Sequence, residues 1–191
     1  LGTATNFPNA VGTVSGHANS VATFYYSTLE PGFAPGVAAV DNYEANYFIN
    51  DIVVPRVGIK ARVVNQSFVV GSPLLDTVYD AYAERFNVLF VSGISNAPAT
   101  PPPSPGSCYN GIGVGVFSES GLITSVGPTS DGRAKPDLVA ANSCCSSVTT
   151  PQVAGAAVLL AQAGAANDGG ANTAAFATNA SVLKALLLNG A

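Results

Sequence analysis

Two neighbouring hydroxyls, Ser146 and Ser147, stand directly ahead of a run that is apolar almost all the way round through Val148, Val153, Val158, Leu159 and Leu160. A serine hydroxyl is a poor nucleophile until a base takes its proton, and histidine is the side chain that changes charge near neutral pH. The chain has one histidine, His17, so serine chemistry that needs an imidazole must use it. Taken alone, each residue has a plainer reading: Ser147 as the N-cap of a helix, His17 as a capping or core histidine. Cys108, Cys144 and Cys145 show no metal-ligand spacing, since there is a single His and no Cys-x-x-Cys. They leave open one disulfide, from Cys108 to Cys144 or Cys145, or three buried thiols.

The elements that must position these groups follow from periodicity. A helix with no polar face, as the one after Ser146 would be, is usually buried at a domain's centre. Pro151, about one turn in, cannot donate a backbone hydrogen bond and leaves an upstream carbonyl unpaired. Gly155 costs about 1 kcal/mol against Ala in a helix interior, which argues for a neighbour packed tightly on it. His17 opens another helix, in which Val21, Phe24 and Tyr25 recur at helical spacing. Residues 1–15 read as loop with at most a short strand, and Val37 to Val40 as a strand. A short helix is expected around Ala45 to Ile52. A β-branched strand starts at Val63; Ser72 and Pro73 then cap and open a helix with Leu75, Val78, Tyr79, Tyr82 and Phe86 on one face. A strand over Asn87 to Ser92 comes straight after, and this order implies a parallel, right-handed crossover. Residues 97–107 are Pro- and Ser-rich loop, Gly111 to Phe117 is another strand, and residues 164–173 read as a flexible connection. Ser181 to Leu188 form a last helix stopped by Gly190.

The run Cys145-Ser146-Ser147-Val148-Thr149-Thr150-Pro151-Gln152-Val153-Ala154-Gly155 resembles the Gly-Thr-Ser-Met-Ala-Thr-Pro-His-Val-Ala-Gly signature of subtilisin-like serine proteases. Further matches follow in the family's order. His17 with Val21-Ala22 resembles His-Gly-Thr-His-Val-Ala, with Ala18 at the Gly and Ser20 at the second His. Pro31 to Val37 is similar to Gly-Val-Ala-Pro-x-Ala. Gly132-Arg133-Ala134-Lys135-Pro136-Asp137-Leu138-Val139-Ala140 matches Gly-Arg-x-Lys-Pro-Asp-hydrophobic-hydrophobic-Ala. Arg133, Lys135 and Asp137 otherwise read as a charged surface turn, and the family uses them structurally.

The resemblance implies an α/β, three-layer subtilisin-like fold, a mostly parallel sheet with helices on both faces. It implies one peptidase domain over residues 1–191, incomplete at its N-terminus. The activity implied is that of a serine endopeptidase, a hydrolase, with Ser147 as nucleophile and His17 as general base. Asn96 would be the oxyanion donor, while Ser67, Phe68, Val69 and Gly93 would face the backbone of a polypeptide substrate. No cofactor is implied; structural calcium is compatible with the family, but no ligand set is identifiable. The sequence departs from the family at further places that bear on catalysis. Asn96 comes two residues late after Gly93, so either the loop is longer or Ile94 takes the position and the donor is lost. Val69 and Cys145 stand where the family has Gly. None of the residues ahead of His17 is acidic, and Glu30 and Asp41 match no catalytic motif. The triad Asp is left to a missing N-terminal segment or to another chain. A second reading therefore stands beside the first, a catalytically impaired or inactive subtilisin-fold binding or scaffold module. A lipase-like hydrolase fits less well, because the serine lacks a Gly-x-Ser-x-Gly elbow.

With 191 residues, 48% hydrophobic and 9% charged, the chain can bury a substantial core. A net charge of -4 gives no basic footprint for nucleic acid, and no apolar run reaches the roughly 20 residues of a membrane span. Few charges and abundant Asn and small polar residues suit a secreted protein.

Overall fold

The computed structural model describes residues 3–7, 15–30, 32–97, 101–168 and 174–191. In chain order these form β1 (Thr3–Phe7), α1 (Gly16–Tyr26), β2 (Ala39–Tyr43), and α2 (Ala45–Tyr47), which runs on as a π-helix over Phe48–Val53. Then come β3 (Val63–Gln66), α3 (Leu74–Phe86), β4 (Leu89–Gly93), β5 (Ile112–Ser118) and β6 (Gly121–Leu122). The short pair β7 (Gly127–Pro128) and β8 (Ala134–Lys135) precedes β9 (Leu138–Ala141), α4 (Ser146–Ala166), α5 (Ala174–Ala177) and α6 (Ala180–Asn189).

Strands β3, β4, β5 and β9 are parallel neighbours, with β6 turned back antiparallel on β5. β1 and β2 form a separate parallel pair. The layers are readable along β4, where successive side chains point to opposite faces. Leu89 and Val91 join Ile112 and Val114 under Val153, Ala154 and Ala157 of α4 and Leu183 of α6. Phe90 points the other way, into a core made by Tyr79 and Tyr82 of α3 with Phe48, Ile52 and Val53. Helices thus cover both faces, and all of β4 is buried, as a central parallel strand requires.

Element limits shift from the expected ones where backbone geometry intervenes. Asn87, expected in a strand, is instead the left-handed cap of α3 with φ 54°. Ser72 does not cap α3 with its side chain; Pro73 takes the cap position. Thr3–Phe7, too polar to show a period, is held as a strand by its ladder to β2. The expected flexible stretch from Gly164 is helical as far as Ala166, closed by the left-handed Asn167; its continuation over residues 169–173 lies outside the described residues. The centrality expected of α4 holds for its first half only. Ser146, Thr149, Thr150, Pro151, Val153, Ala154, Gly155 and Ala157 are buried, while Leu159 is 49% exposed.

The neighbour that Gly155 calls for is Phe33. After α1 the chain reverses, with Phe33 N–H donating to Phe24 O and Ala34 N–H to Tyr25 O, at 3.0 and 2.8 Å. This turn brings Phe33 so close to α4 that a Cβ on residue 155 would lie 2.5 Å from its Cβ and 3.1 Å from its carbonyl carbon. Overpacking in Gly155→Ala should cost about 1–3 kcal/mol against the roughly 1 kcal/mol gained in helix propensity, a net destabilisation of up to about 2 kcal/mol. A lower urea midpoint at unchanged slope is the expected reading, and a raised midpoint would contradict the contact.

Candidate active site

The carboxyl ends of parallel strands gather reacting groups in open α/β sheets, and here the ends of β3 and β4 are locked together. Gln66 and Ser92 face each other in register. Ser92 Oγ donates to Gln66 Oε1 and Gln66 Nε2 to the Tyr79 hydroxyl, both at 2.9 Å and all buried. Burial pushes the Tyr79 phenol pKa upward, so it stays neutral in this network. Gln66 is a site-building residue that motif matching missed; a long amide two residues after the Val63-Val64 pair was its only signal.

Beyond the strand ends, the chain leaving β3 and the chain leaving β4 meet the first turn of α4. A cleft of about 90 Å³ opens there. Ser67, Phe68 and Val69 line one side, Gly93, Ser95 and Asn96 another, and Ser146 and Ser147 the floor. Pro151 has no N–H, so the Ser147 carbonyl lacks its helical donor; Ser67 Oγ replaces it, donating to Ser147 O at 3.2 Å. Gly93 lets α4 approach the end of β4 closely, since a Cβ there would lie 3.0 Å from Ser146 Oγ and 3.1 Å from Thr150 Oγ1 and crowd both hydroxyls.

Asn96 reaches this cleft through a lengthened loop. Ile94 is fully buried in the core, and Ser95 adopts φ 102°, a conformation costing a side chain of order 1–3 kcal/mol. Together they return Asn96 to α4, where its Oδ1 accepts from Ser146 N at 2.7 Å and Ser146 Oγ at 2.8 Å. A backbone N–H can only donate, so the amide oxygen must face it. Asn96 Nδ2 is left without a partner among the described residues.

His17 sits in the first turn of α1, whose N-terminus is capped by Ser15 Oγ accepting from Ala18 N at 3.2 Å. α1 packs on α4, which places both elements in one framework. The imidazole itself is exposed, does not line the cleft, and makes no hydrogen bond among the described residues. No carboxylate lines the cleft among the described residues. Nor do three His, Cys, Asp or Glu side chains cluster there in a way that could hold a metal.

The cysteine pairing differs from both expectations. Cys144 and Cys145 are bonded to each other, and Cys108 is the free, buried one. Cys108 lies instead beside α3, its Sγ donating to Asp76 Oδ1 at 3.4 Å, and burial raises its thiol pKa. At Arg133 to Asp137 the plainer of the two readings, a charged surface turn, fails at Lys135. Lys135 is buried, paired with Asp137, and donates to Cys108 O at 2.8 Å, so it acts as an internal post for the loop ahead of β5.

Several solved protease structures share this architecture. A self-cleaved protease domain of PatA matches with TM-score 0.61 and 19% identity over 99% of this chain and 89% of its own. The prenylagaramide maturation protease PagA matches with TM-score 0.67 and 17% identity, over 100% and 76%. A cold-adapted subtilisin-like serine proteinase matches with TM-score 0.64 and 23% identity, over 92% and 67%. No family model and no curated protein matches the sequence. The chain has a subtilisin-like fold.

Proposed function

We propose that this chain is the greater part of a serine endopeptidase catalytic domain that cuts polypeptides through an acyl-enzyme on Ser147. The observation that carries this reading is the pair of hydrogen bonds from Ser146 to Asn96 Oδ1, which leaves an amide donor beside Ser147 at a helix N-terminus. In the reaction the Ser147 hydroxyl attacks a peptide carbonyl and its proton passes to His17. Charge growing on the carbonyl oxygen meets Asn96 Nδ2 and the Ser147 N–H in the first turn of α4, where the Ser146 and Val148 N–H groups are already engaged. The imidazolium then protonates the leaving amine, and water repeats the sequence to free the enzyme. An extended substrate lies along Ser67, Phe68 and Val69, with the exposed Val69 side chain restricting what fits opposite it.

A carboxylate that orients His17 comes from a segment outside these residues or from another chain. Its entry as a strand is supported by the free edges of the two sheets: among the described residues β3 pairs only with β4, and β2 only with β1. Exposure of His17 and its lack of a hydrogen bond among the described residues favour the second reading, a binding module on the same fold. Reaction with a fluorophosphonate separates the two. Labelling of Ser147 in folded protein, abolished by Ser147→Ala, is expected; no labelling with the upstream segment present would leave the binding module.

A further inference from the structure

We propose that Cys144–Cys145 is a thiol–disulfide exchange site for a dithiol reductant, and that its redox state sets how well the α4 N-terminus is organised. This deepens the reading of Ser147 as nucleophile and rests on it for its functional arm alone. Bonded neighbours close a small ring that contains their own peptide bond, so the chain directly ahead of Ser146 and Ser147 is held by a covalent clamp. Cys145 is itself the N-cap residue of α4, extended at φ -167° and ψ 157°, and its side chain makes no capping hydrogen bond. The sulfur that would ordinarily be free to turn toward the first-turn N–H groups is tied back to Cys144. Asn142 Oδ1 fixes the other end of the clamp by accepting from Cys144 N at 2.7 Å.

The two sulfurs differ in a way that sets the direction of exchange. Cys144 is exposed and Cys145 half-buried against the helix, so an incoming thiolate meets Cys144 Sγ first. A new S–S bond forms there, the Cys144–Cys145 bond breaks, and its electron pair leaves on Cys145 Sγ. That thiolate sits at the positive end of a 21-residue helix, the kind of place that lowers a thiol's pKa and makes it a good leaving group. The reductant's second thiol then displaces Cys144 Sγ and closes the reductant's own disulfide. Two electrons and two protons have passed from the dithiol to the protein. Cys108 takes no part, since it is 1% exposed.

In the oxidised form Ser146 N and Oγ both rest on Asn96 Oδ1, so the donor side of Asn96 is aimed before substrate arrives. Reduction frees the chain between Asn142 and Ser146 and releases this aim. Small misplacements of reacting groups cost about 100-fold in rate, so a fall of about tenfold or more in fluorophosphonate labelling on reduction is a conservative expectation.

The experiment treats the folded chain with graded dithiothreitol, alkylates it, and locates the label by mass spectrometry. Alkylation of Cys144 and Cys145 together, with Cys108 untouched, is expected under conditions where the fold persists by circular dichroism. Hydrogen exchange at the Ser146 to Thr149 amides should speed up in the reduced form, and the Cys144→Ser/Cys145→Ser double variant should lose all response to reductant. A pair that stays oxidised until the protein unfolds overturns the exchange site. Equal amide exchange in both redox states overturns the control of α4. If Ser147 labels in neither state with the upstream segment present, the protease reading falls, while the alkylation and amide measurements still decide this one.

Discussion

Asn96→Ala is expected to slow acylation of Ser147 by a fluorophosphonate about 100- to 1000-fold, the loss typical for removing one oxyanion donor. The donor in question is Nδ2, the half of the amide that has no partner among the described residues because Ser146 occupies the other half. Truncation to Ala removes both halves at once, so a structural explanation would compete: Ser146 N and Oγ would each lose an acceptor. Asn96→Asp separates the two effects. Its carboxylate keeps an oxygen for Ser146 and has no N–H to offer, so it should preserve the first turn of α4 and still be slow. Thermal midpoints close to wild type for Asn96→Asp, with labelling depressed as far as in Asn96→Ala, are the expected pair of results. Wild-type labelling in Asn96→Asp would make Asn96 a cap for Ser146 and nothing more.

The framework of this site was legible because its anomalies have local causes. Pro151 announced an unpaired carbonyl, and the Ser67 hydroxyl supplies its donor; Gly155 announced a close neighbour, and Phe33 is there. Such signals need no knowledge of distant residues. Asn96 was a harder case, since its position depends on whether Ile94 turns inward and whether Ser95 accepts a left-handed backbone. Those choices are made by the core, not by the loop's own composition. The cysteines were opaque for a similar reason. Spacing does not tell a bond between neighbours from a bond across the fold. In Cys108 the deciding fact is burial against α3 and Asp76, which no spacing contains. The composition around Lys135, a lysine near Asp and Arg in a Gly- and Pro-rich turn, is that of a solvated loop, and only the resemblance to the family pointed to a structural role; tertiary packing reveals the carbonyl waiting for it.

That buried lysine carries the second large effect, an expected loss of about 3–5 kcal/mol in Lys135→Met, the usual penalty for breaking a buried pair from one side. The Lys135 side chain is 1% exposed and that of its partner Asp137 15%. Met fills much of the same space, so the loss comes from charge and hydrogen bonds rather than from a cavity. Asp137 Oδ2 would keep only the Gly113 N–H, now at 2.6 Å, and Cys108 O would lose its donor. Neighbouring cations cannot move in to help, because they are engaged with other carbonyls of the same loop. Arg133 Nη1 donates to Ser107 O at 2.9 Å, and Lys184 Nζ to Gly111 O at 2.8 Å. The consequence should reach the cleft, since this loop packs through Gly106 on the Gly93–Ile94 backbone, where a Cβ on residue 106 would stand 3.0 Å from Gly93 O. Urea unfolding of Lys135→Met should show the full loss, and adding Asp137→Asn should recover part of it by removing the stranded charge while keeping an acceptor for Gly113. A single-variant loss below about 1 kcal/mol, the level of a surface pair, would mean that solvent reaches this lysine and that the loop ahead of β5 is held by something else.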